Sequence, residues 1–199
     1  MISAPQVVEI ALAEAARLGG ADETIVLVTD RAAASLRWAG NSMTTNGESR
    51  SRDTTVISIV RQGKSARVGS VKSSEVDPDS IAGLVASSQD TARSAPEARD
   101  AAPPLDGTDT PADWDAPIPE TAADVFADVA TSLASGFRGT DRLYGFARHE
   151  LETTFVATST GVRRRFTQPT GSVEINAKRD GASAWAGVST PHFVSVPTD

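Results

Sequence analysis

The chain has 199 residues, 39% of them hydrophobic and 23% charged, with a formal net charge of −7. That apolar share supports a genuine core, no apolar run approaches the roughly 20 residues of a spanning helix, and the negative balance argues against a general nucleic-acid binder, because phosphate contacts need clustered Lys and Arg. Cysteine is absent, which excludes disulfides, and the start MISAPQVVEIALAEAARLGG carries Glu9 and Glu14 without a basic stretch, unlike a secretory signal, so the expected location is cytoplasmic.

Residues 5–18 read as a helix. Val7, Val8, Ala11, Leu12, Ala15 and Leu18 recur at helical spacing, with Glu9, Glu14 and Arg17 largely on the other side. Pro5 suits the first turn after Ser3 or Ala4, and Gly19-Gly20 closes the helix because glycine tolerates the left-handed conformation beyond it. Residues 24–29, TIVLVT, are continuous and β-branched, the pattern of a buried strand. Residues 33–39 form a second strand, with Leu36 and Trp38 on one face and Ser35 and Arg37 on the other. Residues 41–53 are polar and hold Asn46-Gly47, the strongest short hairpin signal, which predicts a turn there. Residues 54–61 alternate as a strand, Gln62-Gly63-Lys64 turns the chain, and residues 65–71 return it. Asp77-Pro78-Asp79-Ser80 starts a helix running to about Arg93, with Ile81, Leu84, Val85 and Ser88 as its inward stripe.

Residues 95–119 form a linker carrying six of the eleven prolines. Trp114 is expected to anchor it against the body. Charge is uneven here: residues 97–128 hold nine acids against Arg99, and residues 50–72 hold six bases against Asp53. The plain reading is a solvated acidic loop and a solvated basic hairpin. The sharper one is a basic strand surface that receives a partner's acidic group or C-terminal carboxylate. Residues 120–135 form a third helix, closed by Gly136 and Gly139. A β meander follows over 143–158, 161–166, 171–179 and 182–188, punctuated by Thr160-Gly161, Pro169-Thr170-Gly171 and Asp180-Gly181. Residues 193–199 show no helix or cap, as expected of a stop inside a larger protein.

The expected fold class is therefore α+β, with mixed or antiparallel sheets, about three helices packed on them, and two sub-regions joined by the Pro-rich acidic linker. The expected domains are a helix–strand–hairpin–helix unit (1–94), the linker (95–119), and a helix plus antiparallel meander (120–199) that precedes a further C-terminal domain.

Catalytic signals are weak. His149-Glu150 suggests a zinc-protease helix, but the positions for a second ligand hold Thr153 and Thr154, and the segment prefers a strand. His149 then reads as a partly exposed strand histidine, and no metal site is expected in the chain. Gly181-Ala-Ser183-Ala-Trp185 imitates a nucleophile elbow, but Trp185 stands where the closing glycine belongs. Neither a dinucleotide fingerprint nor a Walker loop is present, so no catalytic residue is assigned. Arg163-Arg164-Arg165 lies in a predicted strand, with Arg163 and Arg165 on one face. It reads as an exposed or charge-protected edge, or alternatively as a contact for a partner subunit or extended peptide.

The order helix, strand with RWAGNS, TTNG segment, VRQGKSARVG hairpin, helix ending near DTARSAPEAR and Pro-rich passage beginning PPL resembles the N-terminal domain of the TldD/PmbA family, also called modulator of DNA gyrase. The resemblance covers essentially the whole chain and is best over residues 36–52, 60–70 and 86–96. Its NSMTTNG segment is more similar to the TldE (PmbA) type of subunit. The resemblance implies a two-subunit metalloprotease about twice this length. Zinc would be held by a His-Glu-x-x-x-His helix in the second half of the TldD-type subunit, and the TldE-type partner would lack that motif. This chain has no such motif, since Thr154 stands where a second histidine would follow His149.

The combined expectation is a cytoplasmic scaffold that binds unfolded or leader peptides as an added strand. Zinc is expected in a homologous TldD-like partner subunit or in a C-terminal region, and none in this chain. The partner makes a heterodimer, or a copy of the chain itself takes its place. Nucleic acid and membrane are not expected partners. The candidate peptide- or partner-binding residues are Arg37, Asn41, Asn46, Arg50 and Arg52. The alternative is a non-catalytic protein-binding or assembly module without a proteolytic role.

Overall fold

The computed structural model describes residues 2–74, 77–98, 102 and 105–193. Helix α1 is Ala4–Leu18, followed by strands β1 (Glu23–Ala39), β2 (Met43–Gln62) and β3 (Ser65–Ser73), and helix α2 (Pro78–Ser94). A 3₁₀ turn (Ala123–Phe126) leads into α3 (Ala127–Gly136), then β4 (Arg142–Thr158), β5 (Arg163–Arg179) and β6 (Ala182–Ser189). The class is α+β: three α-helices accompany a six-stranded antiparallel sheet in the order β3-β2-β1-β4-β5-β6.

The chain divides into two compact units, each assembled from discontinuous segments. The first comprises residues 2–30, 51–118 and 153–166 within the described range, and the second residues 31–50, 119–152 and 167–193.

In the first unit, α1 begins with a capping box. The Ser3 N–H donates to Gln6 Oε1 at 2.8 Å and the Gln6 N–H to Ser3 Oγ at 3.3 Å, satisfying two donors the helix start leaves open. Gly19 ends it at φ 61°, as the glycine pair predicts. Val7, Val8, Ala11 and Ala15 meet Val26, Val28, Val56, Phe155 and the α2 residues Ile81, Leu84 and Val85. Full burial of Val7 and Val8 is worth about 1.5–3 kcal/mol each. Asp77 caps α2 by accepting from the Ser80 N–H at 3.0 Å, and the predicted stripe Ile81, Leu84, Val85 and Ser88 is buried. Strands β2 and β3 pair from Thr54↔Ser73 to Gln62↔Ser65 across a Gly63-Lys64 turn.

The Pro-rich passage is held to this unit along its described length. Trp114 is 6% exposed and stacks edge-on against Phe155 at 5.3 Å, as its anchoring role requires. Arginines hold the backbone: Arg61 donates to Ala102 O at 2.7 Å, Arg164 to Asp109 O at 3.2 Å, and Arg165 to Ala116 O at 2.8 Å and Pro117 O at 2.9 Å. These cations bind main-chain carbonyls of an acidic segment, and Arg165 also lies 4.0 Å from the Asp113 carboxylate.

In the second unit, the face of α3 carrying Val129 and Leu133 packs with Phe126 on Ala34, Leu36, Trp38, Ala147 and Val173. Phe193 closes this core edge-on to Phe126 at 5.0 Å.

Several local expectations give way. Residues 24–29 and 33–39 are parts of one strand, β1, because the polar Asp30-Arg31 step keeps extended backbone. Asn46-Gly47 is not a turn but lies within β2. The chain reverses instead at Gly40-Asn41, with φ 60° and 66°, where the Ala39 N–H bonds Ser42 O at 2.9 Å. Positive φ at both central residues is what a two-residue hairpin demands, and Gly-Asn meets it as well as Asn-Gly. Pro169-Thr170-Gly171 runs straight through β5, and Pro169 is tolerated because it precedes the β6 pairing, which begins at Ser172↔Ser189. The third helix begins later than residue 120. Glu120 pairs with Arg50, Thr121 with His149, and Glu48 accepts from the Ala123 N–H, which holds this entry extended. The end expected to carry no helix or cap, residues 193–199, lies outside the described residues after Phe193.

Candidate functional site

The strand β6 ends the sheet order, and every residue in it is exposed. Its hairpin with β5 turns at Asp180-Gly181, with φ 48° and 82°, where the sequence places it. The register runs from Arg179↔Ala182 to Ser172↔Ser189, and the Thr190 N–H donates to Gly171 O at 2.9 Å. That bond fixes the alternation of the antiparallel ladder. Val188, Ala186 and Ala184 direct their N–H and C=O groups toward β5. Ser189, Gly187, Trp185 and Ser183 direct theirs outward, where no strand pairs with them among the described residues. Such a row of unpaired backbone groups is a template for an added strand. At the opposite end of the sheet, β3 is less open: the Ala98 N–H bonds Ala66 O at 2.7 Å.

The residues singled out in the sequence have distinct fates. Arg37 is exposed on β1 without an ion pair among the described residues, and Asn46 is exposed on β2. Arg50 is exposed and pairs with Glu120 at 2.7 Å. A surface pair of this kind contributes about 0–1 kcal/mol. Asn41 is occupied internally. Its Nδ2 donates to Asp141 O at 2.7 Å and Phe137 O at 3.3 Å, and its Oδ1 accepts from the Leu143 N–H at 2.6 Å. Arg52 is 10% exposed and bidentate to Asp30 at 2.6 and 2.8 Å, with a third bond to Ile2 O at 2.6 Å. Arg52 belongs to the first unit and the other four to the second.

The basic hairpin residues are largely paired within the chain: Arg61 with Glu23, Arg67 with Glu97 and Lys72 with Asp53. The exposed-edge reading of the arginine run holds for Arg164 but not for its neighbours. Arg163 is 16% exposed and pairs with Glu9 at 2.9 Å. Arg165 is 4% exposed and lies over the Phe155 ring at 5.2 Å.

His149 is buried at 7% exposure, rather than partly exposed. Nδ1 lies 2.7 Å from Thr121 Oγ1, Nε2 lies 3.2 Å from Pro191 O, and the ring sits edge-on to Phe193 at 5.6 Å. Both nitrogens are engaged, so His149 does not fit a zinc ligand. Among the described residues no group of three or more His, Cys, Asp or Glu comes together. No helix among them is long and apolar enough to cross a membrane.

Sequence reasoning missed the open β6 edge. The alternation of ASAWAGVS with an outward Trp185 was its available signal, but strand order is set by long-range pairing.

No protein-family profile matches the sequence, and no curated protein does. Solved structures do match in fold. TldE from Thermococcus kodakarensis superposes with a TM-score of 0.67 at 12% identity, over 94% of this chain and 43% of its own. A protein described as a modulator of DNA gyrase from Bacteroides thetaiotaomicron gives 0.64 at 13% identity, over 95% of this chain and 45% of its own. One so described from Thermotoga maritima gives 0.64 at 11%, over 98% of this chain and 45% of its own. The resemblance to the TldD/PmbA family therefore holds at the level of fold. The chain spans less than half the length of these structures.

Proposed function

We propose that this chain is the peptide-receiving part of a TldD/PmbA-type metalloprotease subunit, of the TldE type. The observation that carries this reading is the shared fold over 94% of the chain with TldE. The outward backbone groups of β6 support it, since they can hold an unfolded or leader peptide by main-chain hydrogen bonds with little sequence preference. Among the described residues no group of three or more His, Cys, Asp or Glu comes together, so no chemical step is assigned to this chain. The metal belongs, on this reading, to a homologous partner subunit or to a region outside this chain, and the partnership is a dimer. The role of this chain is to bind and orient the substrate.

The test is fluorescence anisotropy with a labelled unstructured peptide, comparing the chain with Ser183→Pro. Residue 183 faces outward, so proline there spares the ladder to β5 and removes an edge donor. Binding that weakens about tenfold or more in the variant, with unchanged circular dichroism, supports strand addition. Equal binding by both refutes it. In the same preparation, chelator-sensitive cleavage of the peptide by the chain alone would overturn the assignment of zinc elsewhere.

A further inference from the structure

We infer that the cleft between Tyr144, Phe146 and Trp185 is a binding site for the cationic side chain of a lysine or arginine in an extended polypeptide. The inference rests on the reading of β6 as the peptide-receiving edge and names what that edge selects. The cleft has a volume of about 150 Å³ and also includes Glu174 and Asn176. Strand register builds it. Asn176 lies opposite Trp185 and Glu174 opposite Gly187, and directly opposed residues of an antiparallel pair share one face. Tyr144 and Phe146, two apart on β4, share a face by the same alternation.

Three observations specify a cation. Trp185 leaves 64% of its surface in water, so its indole face is open to a cation. Glu174 makes no ion pair among the described residues, so its carboxylate is open to a cation within the cleft. The Asn176 Oδ1 is buried with no hydrogen-bond partner. A buried acceptor of this kind marks a place for a donor. Aromatic faces, a carboxylate and an unpaired amide oxygen are all satisfied together by an ammonium or guanidinium group. An anion is repelled by Glu174, and an apolar side chain leaves both oxygens without donors. Lys178 Nζ already lies 5.1 Å from the Tyr144 ring centroid, so this cluster does draw cations.

Gly187 makes the arrangement possible. A Cβ there would stand 2.6 Å from Trp185 Cζ2 and 3.3 Å from Glu174 Cγ. The bare glycine lets the indole lie across the strand beside the Glu174 side chain. A peptide paired along the outward groups of β6 places alternate side chains on the face that Trp185 occupies.

The test uses labelled Ac-Thr-Val-X-Val-Thr peptides, with X as Lys, Arg, norleucine or Glu, measured by anisotropy at low salt. In parallel, N-acetyl-arginine amide is titrated while the Trp185 indole resonance is followed by NMR. Lys and Arg peptides are expected to bind about tenfold tighter than norleucine, with Glu weakest. Trp185→Ala, Glu174→Gln and Gly187→Val should each erase that preference, and Glu174→Gln, which lies off the β6 edge, should do so while leaving norleucine binding unchanged. The isosteric Glu174→Gln keeps the test valid if a larger change perturbs folding. Equal binding of Lys and norleucine, or a preference that survives Trp185→Ala and Glu174→Gln, overturns the cleft. If all peptides bind alike and Ser183→Pro abolishes binding, the edge stands and the cleft falls. If no peptide binds yet arginine amide shifts the indole resonance and Glu174→Gln removes the shift, the cleft stands and the edge falls.

Discussion

Gly69→Ala tests the packing of β3 against α2. A Cβ on residue 69 would lie 2.2 Å from Ser88 O and 2.3 Å from Ala92 N, both backbone atoms of the helix, so no rotamer change relieves the contact. To restore an ordinary 3.4 Å contact from 2.2 Å, α2 must retreat by about 1.2 Å. That movement has a second cost. Ser58 pairs with Gly69 across the strands and therefore shares its face. Its hydroxyl meets Ser88 Oγ at 2.7 Å, and Ser88 in turn donates to Val85 O at 2.8 Å, with both serines at 0% exposure. Retreat of the helix takes the serine pair beyond hydrogen-bonding distance. Overpacking contributes about 1–3 kcal/mol, and a buried hydroxyl without its partner about 1–3 kcal/mol. A loss near 3 kcal/mol corresponds to a fall of about 6–12 °C in Tm for a chain of this length. Urea titration followed by far-ultraviolet circular dichroism measures it. A double-mutant cycle with Ser88→Ala adds a sharper check, because the hydroxyl pair is already broken in Gly69→Ala. Ser88→Ala should therefore cost less than half as much in that background. A Gly69→Ala variant within about 0.5 kcal/mol of wild type, or strict additivity with Ser88→Ala, would refute the reasoning.

Arg165→Lys should loosen residues 105–118 nearly as much as Arg165→Met, because an ammonium cannot reproduce the guanidinium's simultaneous bonds to Ala116 O and Pro117 O. The expected local loss is about 3 kcal/mol, read as faster limited proteolysis within that segment; an unchanged cleavage rate contradicts it. Asp77 gives a pH signature. Its carboxyl is held below the ordinary aspartate range, first by the Ser80 hydroxyl and then by the Ser80 N–H. A folded-state pKa depressed in this way supplies stability that is fully present above the unfolded value, about 3.9, and is lost as pH falls through the folded value. Wild type should therefore lose more stability than Asp77→Asn on acidification through that window, and parallel curves would show that the cap carries no charge-dependent share.

Local chemistry made much of the fold legible. The α1 period with Ser3 and Gly19, the Asp77 cap, the Gly63 turn and the Asp180-Gly181 turn are decided within a few residues, and each is where the sequence puts it. Trp114 was legible as an anchor because an indole on a Pro-rich loop needs somewhere dry. Asn46-Gly47 misled because turn propensity competes with pairing, and a neighbouring Gly-Asn pair satisfies the same backbone demand. Arg165 misled because alternation indicates a shared face but not what covers it.

By itself, then, the sequence determined the α+β class, most element positions and the absence of cysteine chemistry, all set by local backbone preference and composition. Tertiary structure alone decided that β6 ends the sheet with outward backbone groups, that Arg52, Arg163 and Arg165 are held by internal partners, and that Glu174 and Asn176 meet Trp185 in one cleft. The physical reason is that strand order and register join residues distant in the chain, and no local preference specifies which of them become neighbours.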